Sequence, residues 1–396
     1  MRICVLSHLY PNPEQPAHGV FVQQQVRALK AAGVLVSVIS PVPTVPRALK
    51  WLRSHWPALQ RIPQSAEYEE GVVRYPRFFT LPRALWRTRE GGSIARTVGS
   101  LIRSGGYDLI HAHTAVPDGD AARRISRECG IPYVCTVHGY DSVWVRQPGA
   151  VQAAILAAFR EAARVVCVSE RIRTGLLKYD PRPDRFTVIH HGVDVSRTGG
   201  DTAQRREAGT RPILTVGRLV PQKGFAELIR AISLVRKQIA DVRLAIVGTG
   251  PERERLSVLI RSLGLDGYVS LPGGMPHDRL LDLYREADVF CMISQDEGFG
   301  MVYLEAMARG VPVVGSQGEG IADIIRDGEN GLLVPPRNAE AAAEALIHLL
   351  TDSDLRARIG EAGRQTAAGL TWAKNAQEHI ALYRDVIQAS RPGTRP

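Results

Sequence analysis

No stretch of this 396-residue chain reaches the roughly 18 consecutive apolar residues that a membrane-spanning helix needs. Its opening, Met1-Arg-Ile-Cys-Val-Leu-Ser7, has neither a basic leader nor a cleavage site and reads as a short strand. Secretion through a signal peptide is therefore not expected, and a cytoplasmic placement is. Cysteine is sparse: Cys4, Cys129, Cys135, Cys167 and Cys291 are odd in number and lack any Cys-x-x-Cys spacing. Several fall in or beside apolar runs, as small core residues of a reducing compartment do. No short-period repeat is visible, and no nucleic-acid-binding motif accompanies the charge. With 44% hydrophobic and 23% charged residues, the composition is that of an ordinary folded protein rather than a disordered one.

Acidic residues are scarce in one half only. Residues 1–190 hold 25 Lys+Arg against 14 Asp+Glu, a balance of +11; the remainder of the 50 and 40 gives 25 against 26, a balance of −1. The basicity is densest over 47–103, where Arg53, Arg61, Arg74, Arg77, Arg83, Arg87, Arg89 and Arg96 interleave with Trp51, Trp56, Phe78, Phe79 and Trp86. Arginine beside tryptophan suits an anionic membrane surface or an acidic acceptor. An arginine-rich solvated face would read the same way.

What the chain does have is alternation. Apolar strand-like runs at 3–7, 34–40, 109–111, 133–137, 165–169 and 187–190 precede helical segments. A second series follows at 213–216, 244–247, 268–271, 289–293, 311–315 and 331–334, with helices at 225–238, 253–262 and 339–350 between them. Strand and helix alternating twice over predicts an α/β protein of two doubly wound, Rossmann-like domains. The boundaries expected are 1–194 and 212–370, a polar linker over 195–211, and a last amphipathic helix with a tail over 371–396. Ligands of such sheets sit at the carboxyl ends of the strands, so two facing sheets would enclose the active site in a central cleft.

The chemistry concentrates in the turns after the strands. Glu297-Gly-Phe-Gly-Met-Val-Tyr-Leu-Glu305 places one carboxylate at a strand-to-helix turn and another about two helical turns on. Backbone amides of Phe299, Gly300, Met301 and Val302 at the helix start form an expected anion site. An ordinary helix start with solvated glutamates is the plainer alternative. Val216-Gly217-Arg218-Leu-Val-Pro-Gln-Lys223-Gly224 sets two cations five residues apart on a flexible turn, a clamp for a leaving diphosphate or simply two surface cations. Gly248 and Gly250, in Val247-Gly-Thr-Gly-Pro251, allow close backbone approach to a ligand. In the first half, the loop from Pro11 to Val20 contains Gly19, and Thr136-Val-His138-Gly139-Tyr-Asp141 supplies a histidine suited to sugar oxygens or proton management. His111 and His113 would share a strand face, yet no third ligand with zinc spacing is evident. Asp118 is expected to cap the helix near Ala121, and Asp352 to mark a helix boundary.

These motifs resemble those of the retaining glycosyltransferases of family 4, enzymes of the GT-B fold that carry a Glu-x7-Glu motif. The resemblance covers nearly the whole chain and is sharpest from Val216 to Pro335; His190-His191-Gly192-Val193-Asp194 matches the domain junction, where the family more often has Asn before Gly-Val-Asp. It implies transfer of a hexosyl unit from a nucleotide-diphosphate sugar, with a UDP- or GDP-sugar as donor, to a hydroxyl acceptor. Glu297 would meet donor hydroxyls, Glu305 the ribose, and Arg218 and Lys223 the diphosphate; Gly19, Gly248 and Gly250 would lie near the nucleotide or phosphate. His138 would be the catalytic-centre histidine, with Asp141 supporting it or the acceptor, and the terminal helix would return to the first domain. No catalytic metal and no other cofactor is implied, since the two cations and the helix start supply positive charge.

The segment Ser316-Gln-Gly-Glu-Gly320-Ile-Ala-Asp-Ile-Ile325 extends the resemblance toward bacterial polysaccharide enzymes such as those of teichuronic acid. A lipid-linked, oligosaccharide or small-molecule acceptor follows, with peripheral attachment at the inner membrane face through 47–103. A nucleotide-sugar epimerase of the same fold, or a sugar-binding protein without turnover, would share the donor residues. An acceptor requirement separates transfer from both.

Overall fold

The computed structural model describes residues 1–45, 56–81, 83–195 and 209–390, with the backbone alone described at 56–57 and 83–87. Arg47, Trp51, Arg53, the expected linker apart from its two ends, and the tail from 391 lie outside the described residues. The side chains of Trp56, Arg83, Trp86 and Arg87 do so too. Among the described residues no helix is long and apolar enough to cross a membrane.

The chain divides into two compact units, Met1–His191 with Trp372–Pro396, and Gly192–Thr371. In the first, the strands are β1 (Arg2–Leu6), β2 (Leu35–Ile39), β3 (Val42–Thr44), β4 (Ser65–Tyr68), β5 (Gly71–Arg74), β6 (Arg77–Phe79), β7 (Leu109–His113), β8 (Tyr133–Val137), β9 (Arg164–Cys167) and β10 (Phe186–Val188). Eight of them form one sheet in the order β10-β9-β8-β7-β1-β2-β5-β4, parallel but for the β4–β5 pair; β3 and β6 pair separately. Its central strands are buried along their whole length, as strands covered by helices on both faces must be. The terminal helix Trp372–Ala389 packs into this core through Ala376, Ile380, Tyr383 and Val386. Burial of Ile380 and Val386 alone stabilises the docking by about 1.5–3 kcal/mol each. Asn375 adds a polar link, its Nδ2 donating to the His190 carbonyl at 2.7 Å.

The second unit contains β11 (Arg211–Val216), β12 (Val242–Val247), β13 (Val269–Gly273), β14 (Val289–Cys291), β15 (Val313–Ser316) and β16 (Leu332–Val334). They make an all-parallel sheet in the order β13-β12-β11-β14-β15-β16. Helix Phe225–Val235 lays Phe225, Leu228, Ile229 and Ile232 against Ile213 and Leu244 of this sheet. Helix Ala339–Thr351 starts where Asn338 accepts the Ala341 amide at 2.8 Å, an ordinary side-chain cap. Both units are thus Rossmann-like, and the strands expected in each series are present. What the sequence did not announce is the β3 to β6 region, whose short, half-exposed strands lack apolar runs.

Candidate active site

In the second unit four loops leave the carboxyl ends of adjacent strands β12, β11, β14 and β15. The β11 loop carries Arg218 and Lys223 and is tied to the β14 loop where Gln295 donates its backbone N–H to the Gln222 carbonyl at 2.7 Å. That tie sets Lys223 beside Glu297: the Nζ donates to Glu297 Oε2, forming an ion pair between partly buried side chains. Arg218, by contrast, is exposed. Gly248 is required by packing, because a Cβ there would stand 1.9 Å from the Gly217 carbonyl oxygen; one at Gly250 would stand 2.4 Å from that of Leu219. These glycines press the β12 loop onto the one carrying Arg218.

The helix after the turn is Met301–Met307, with Gly300 as its N-cap at φ 88, a left-handed conformation that costs glycine little. The Phe299 ring is buried, so only its backbone faces the turn, and Met301 and Val302 are the first helical residues, both partly buried. Glu305 lies inside the helix, where its Oε2 accepts the Tyr284 hydroxyl at 3.0 Å. Burial raises the Glu305 carboxyl above its ordinary value. The two glutamates therefore differ: Glu297 is held by a cation, and Glu305 is shielded and hydrogen-bonded. A third carboxylate, not expected as a site residue, joins them, for Glu319 Oε2 accepts the Glu297 backbone N–H at 2.7 Å.

In the first unit the carboxyl ends of β7 and β8 bring histidines together. His113 Nδ1 lies 3.0 Å from His138 Nε2, and His138 Nδ1 lies 3.4 Å from His191 Nε2. The rings stack: His138 against His191 with centroids at 5.3 Å and 2° between planes, His113 against His138 at 5.2 Å and 8°. His111 stacks on His113 at 4.2 Å, and its two ring nitrogens meet the Tyr383 hydroxyl at 2.6 Å and Thr136 Oγ1 at 2.7 Å. His379 of the terminal helix completes the row, 5.5 Å from His111. Desolvation, reinforced by neighbouring imidazoles, drives His111, His113 and His138 well below the ordinary histidine value, and takes His191 to about 3. Burial takes His379 to about 4.

One expectation is corrected here. Asp118 does not cap a helix; it is fully buried and accepts His8 Nδ1 at 2.8 Å and the His8 backbone N–H at 3.2 Å, while the helix Asp120–Cys129 has no side-chain cap. Asp141 Oδ2 accepts the Ala115 amide at 2.9 Å, and burial pushes the carboxyl up to about 7. Asp352, as expected, sits at a helix boundary, accepting the amides of Asp354 and Leu355. Gly19 caps helix Val20–Ala31, and a Cβ on it would stand 2.4 Å from the Leu9 carbonyl, so close packing already accounts for glycine there. His191 was missed as a partner of His138 because 53 residues separate them. Among the described residues no group of three or more His, Cys, Asp or Glu side chains is arranged to hold a metal ion.

Comparison with known proteins supplies the family. Residues 18–197 match the model described as Glycosyltransferase Family 4, and residues 202–366 match that of Glycosyl transferases group 1. TuaC of Bacillus subtilis (strain 168), named as a glycosyltransferase of teichuronic acid biosynthesis, is 28% identical over 98% of this chain and 100% of its own. A D-inositol 3-phosphate glycosyltransferase of Acidothermus cellulolyticus is 33% identical, covering 72% of this chain and 69% of that one. Among solved structures, sucrose-phosphate synthase of Thermosynechococcus elongatus superimposes with a TM-score of 0.79 at 22% identity, over 98% of this chain and 100% of its own. Anabaena Alr3699/HepE in complex with UDP does so with 0.74 at 21% identity, over 97% and 100%. With these matches along its length and the GT-B fold of its structural neighbours, the chain belongs to glycosyltransferase family 4.

Proposed function

We propose that this glycosyltransferase transfers a hexosyl unit from a UDP- or GDP-sugar to a hydroxyl acceptor with retention of anomeric configuration and without a metal ion. The observation that carries the reading is the contact of Lys223 with Glu297 at the carboxyl ends of β11 and β14, with Glu305 along the following helix. In the donor complex Lys223 turns from Glu297 to the diphosphate and, with Arg218, stabilises the charge that develops as the glycosidic bond breaks. Glu297, so released, accepts hydrogen bonds from sugar hydroxyls. Glu305 takes the ribose hydroxyls, its raised affinity for protons being overcome by the bonds they donate.

No carboxylate is assigned as a nucleophile. The acceptor hydroxyl attacks the anomeric carbon from the face the diphosphate leaves, through an oxocarbenium-like state, and a phosphate oxygen of the leaving group receives its proton. His138 is assigned to the sugar side of the reaction; both its ring nitrogens are engaged by His113 and His191, so it acts as a fixed member of the stack rather than as a free acid.

The relatives named for teichuronic acid synthesis and for a phosphatidylinositol monomannoside mannosyltransferase support an acceptor from polysaccharide or glycolipid synthesis. Peripheral attachment at the inner membrane face through 47–103 belongs to the same proposal. Proton NMR of the slow hydrolysis of an α-linked nucleotide sugar tests the stereochemistry: α-sugar formed first supports retention, and β-sugar formed first overturns it.

A further inference from the structure

Glu319 stands in the turn after β15 and is 5% exposed. Its Oε2 accepts the backbone N–H of Glu297 at 2.7 Å, a charge-assisted bond of about twice the strength of a neutral one. The next residue holds the following peptide, on the other side of the Glu297 Cα: Gly320 N–H donates to the Glu297 carbonyl at 3.3 Å. A Cβ on Gly320 would stand 2.1 Å from the Gly298 carbonyl oxygen, so the two loops meet backbone to backbone with no room for a side chain. Both main-chain polar groups of Glu297 are therefore gripped by residues 319 and 320. A carboxylate buried here would be costly without such a bond, so its presence is explained by what it holds.

We propose that Glu319 is a positioning residue for sugar transfer: by fixing the main chain of Glu297 it presents that carboxylate to the donor sugar once Lys223 moves to the diphosphate. The inference rests on the reading that Glu297 faces the sugar. Glu319 acts through Glu297, so its removal changes how the sugar is held and leaves the grip on the nucleoside diphosphate intact.

The test compares Glu319→Gln, which keeps an accepting oxygen, with Glu319→Met, which keeps the length and loses it. Turnover of UDP-glucose and GDP-mannose is measured with binding of UDP and GDP. Glu319→Gln is expected within about fivefold of wild type, and Glu319→Met is expected to lose about 10- to 100-fold in kcat, with UDP or GDP affinity changed less than about twofold. Glu319→Met within about twofold of wild type overturns the inference, as does equal weakening of nucleoside diphosphate and nucleotide sugar, the mark of a merely structural role. If Glu319→Met melts early, Glu319→Asn, which stays polar but falls one methylene short of the Glu297 N–H, releases the same bond with a milder change. The same split between kcat and diphosphate binding is then required of it, and its absence overturns the inference. A wild type that neither binds nor turns over these donors refutes the donor reading itself, a result distinct from any difference among the variants.

Discussion

Acidification should unfold the first unit through its histidine stack. His111, His113, His138, His191 and His379 are all held neutral, by burial first and by one another second, with folded values of about 3 for His191 and about 4 for His379. Because folding depresses these values below the ordinary 6.5, the unfolded chain binds the protons. Stability is then full above pH 6.5 and is lost progressively as pH falls from there toward the folded values. Between pH 6.5 and 5.5 each such histidine costs about 1 kcal/mol, so five cost about 5 kcal/mol. Asp141 opposes them: raised to about 7 by burial, it keeps in the folded state a proton the unfolded chain releases, and returns about 1 kcal/mol over the same interval. The net loss of about 4 kcal/mol is a large share of the roughly 5–15 kcal/mol that holds a domain together. All five tryptophans, Trp51, Trp56, Trp86, Trp144 and Trp372, belong to the sequence of the first unit, so intrinsic fluorescence follows its unfolding without reporting on the second. Denaturant titrations at several pH values should show the loss, and His379→Gln should flatten the slope by about one proton. A slope of one proton or fewer in the wild type would refute the reasoning.

In the proposed donor site, Lys223→Ala should lower kcat about 100- to 1,000-fold, as removal of one preorganised charge at a developing anion does, and steady-state kinetics would show it. Glu305→Gln should raise the donor KM about 10-fold or more while leaving the melting temperature near that of the wild type, since the amide oxygen still accepts from Tyr284. Tyr383→Phe, which strips one buried partner from His111, should destabilise the first unit by about 1–3 kcal/mol in fluorescence-monitored unfolding. Replacing Arg83, Arg87 and Arg89 together should abolish sedimentation with anionic liposomes at low salt; unchanged sedimentation, or none by the wild type, removes the membrane proposal.

The double alternation of strand and helix was legible because parallel strands covered on both faces read as uninterrupted apolar runs, as in β7 and β8. The β4–β5 hairpin was not, since Ser65–Tyr68 and Gly71–Arg74 are largely exposed and carry no such run. Motif spacing singled out Arg218, Lys223, Glu297 and Glu305 as candidates, but not the contact of Lys223 with Glu297, which depends on how two loops 74 residues apart are tied. The histidine stack draws on β7, the loop after β8, the end of the first unit and the terminal helix, so no local pattern could announce it. Asp118 misled for the opposite reason: its place before a helix fits a cap, while its carboxyl is taken by His8 from the loop after β1.

The most direct test is a thermal-shift and hydrolysis screen of UDP-, GDP-, ADP- and TDP-sugars, without added metal, on the wild type and on Glu305→Ala. The account predicts that one UDP- or GDP-sugar stabilises the wild type and slowly releases its sugar, and that both effects weaken in the variant. Indifference to every donor, or a response that Glu305→Ala leaves unchanged, would contradict it.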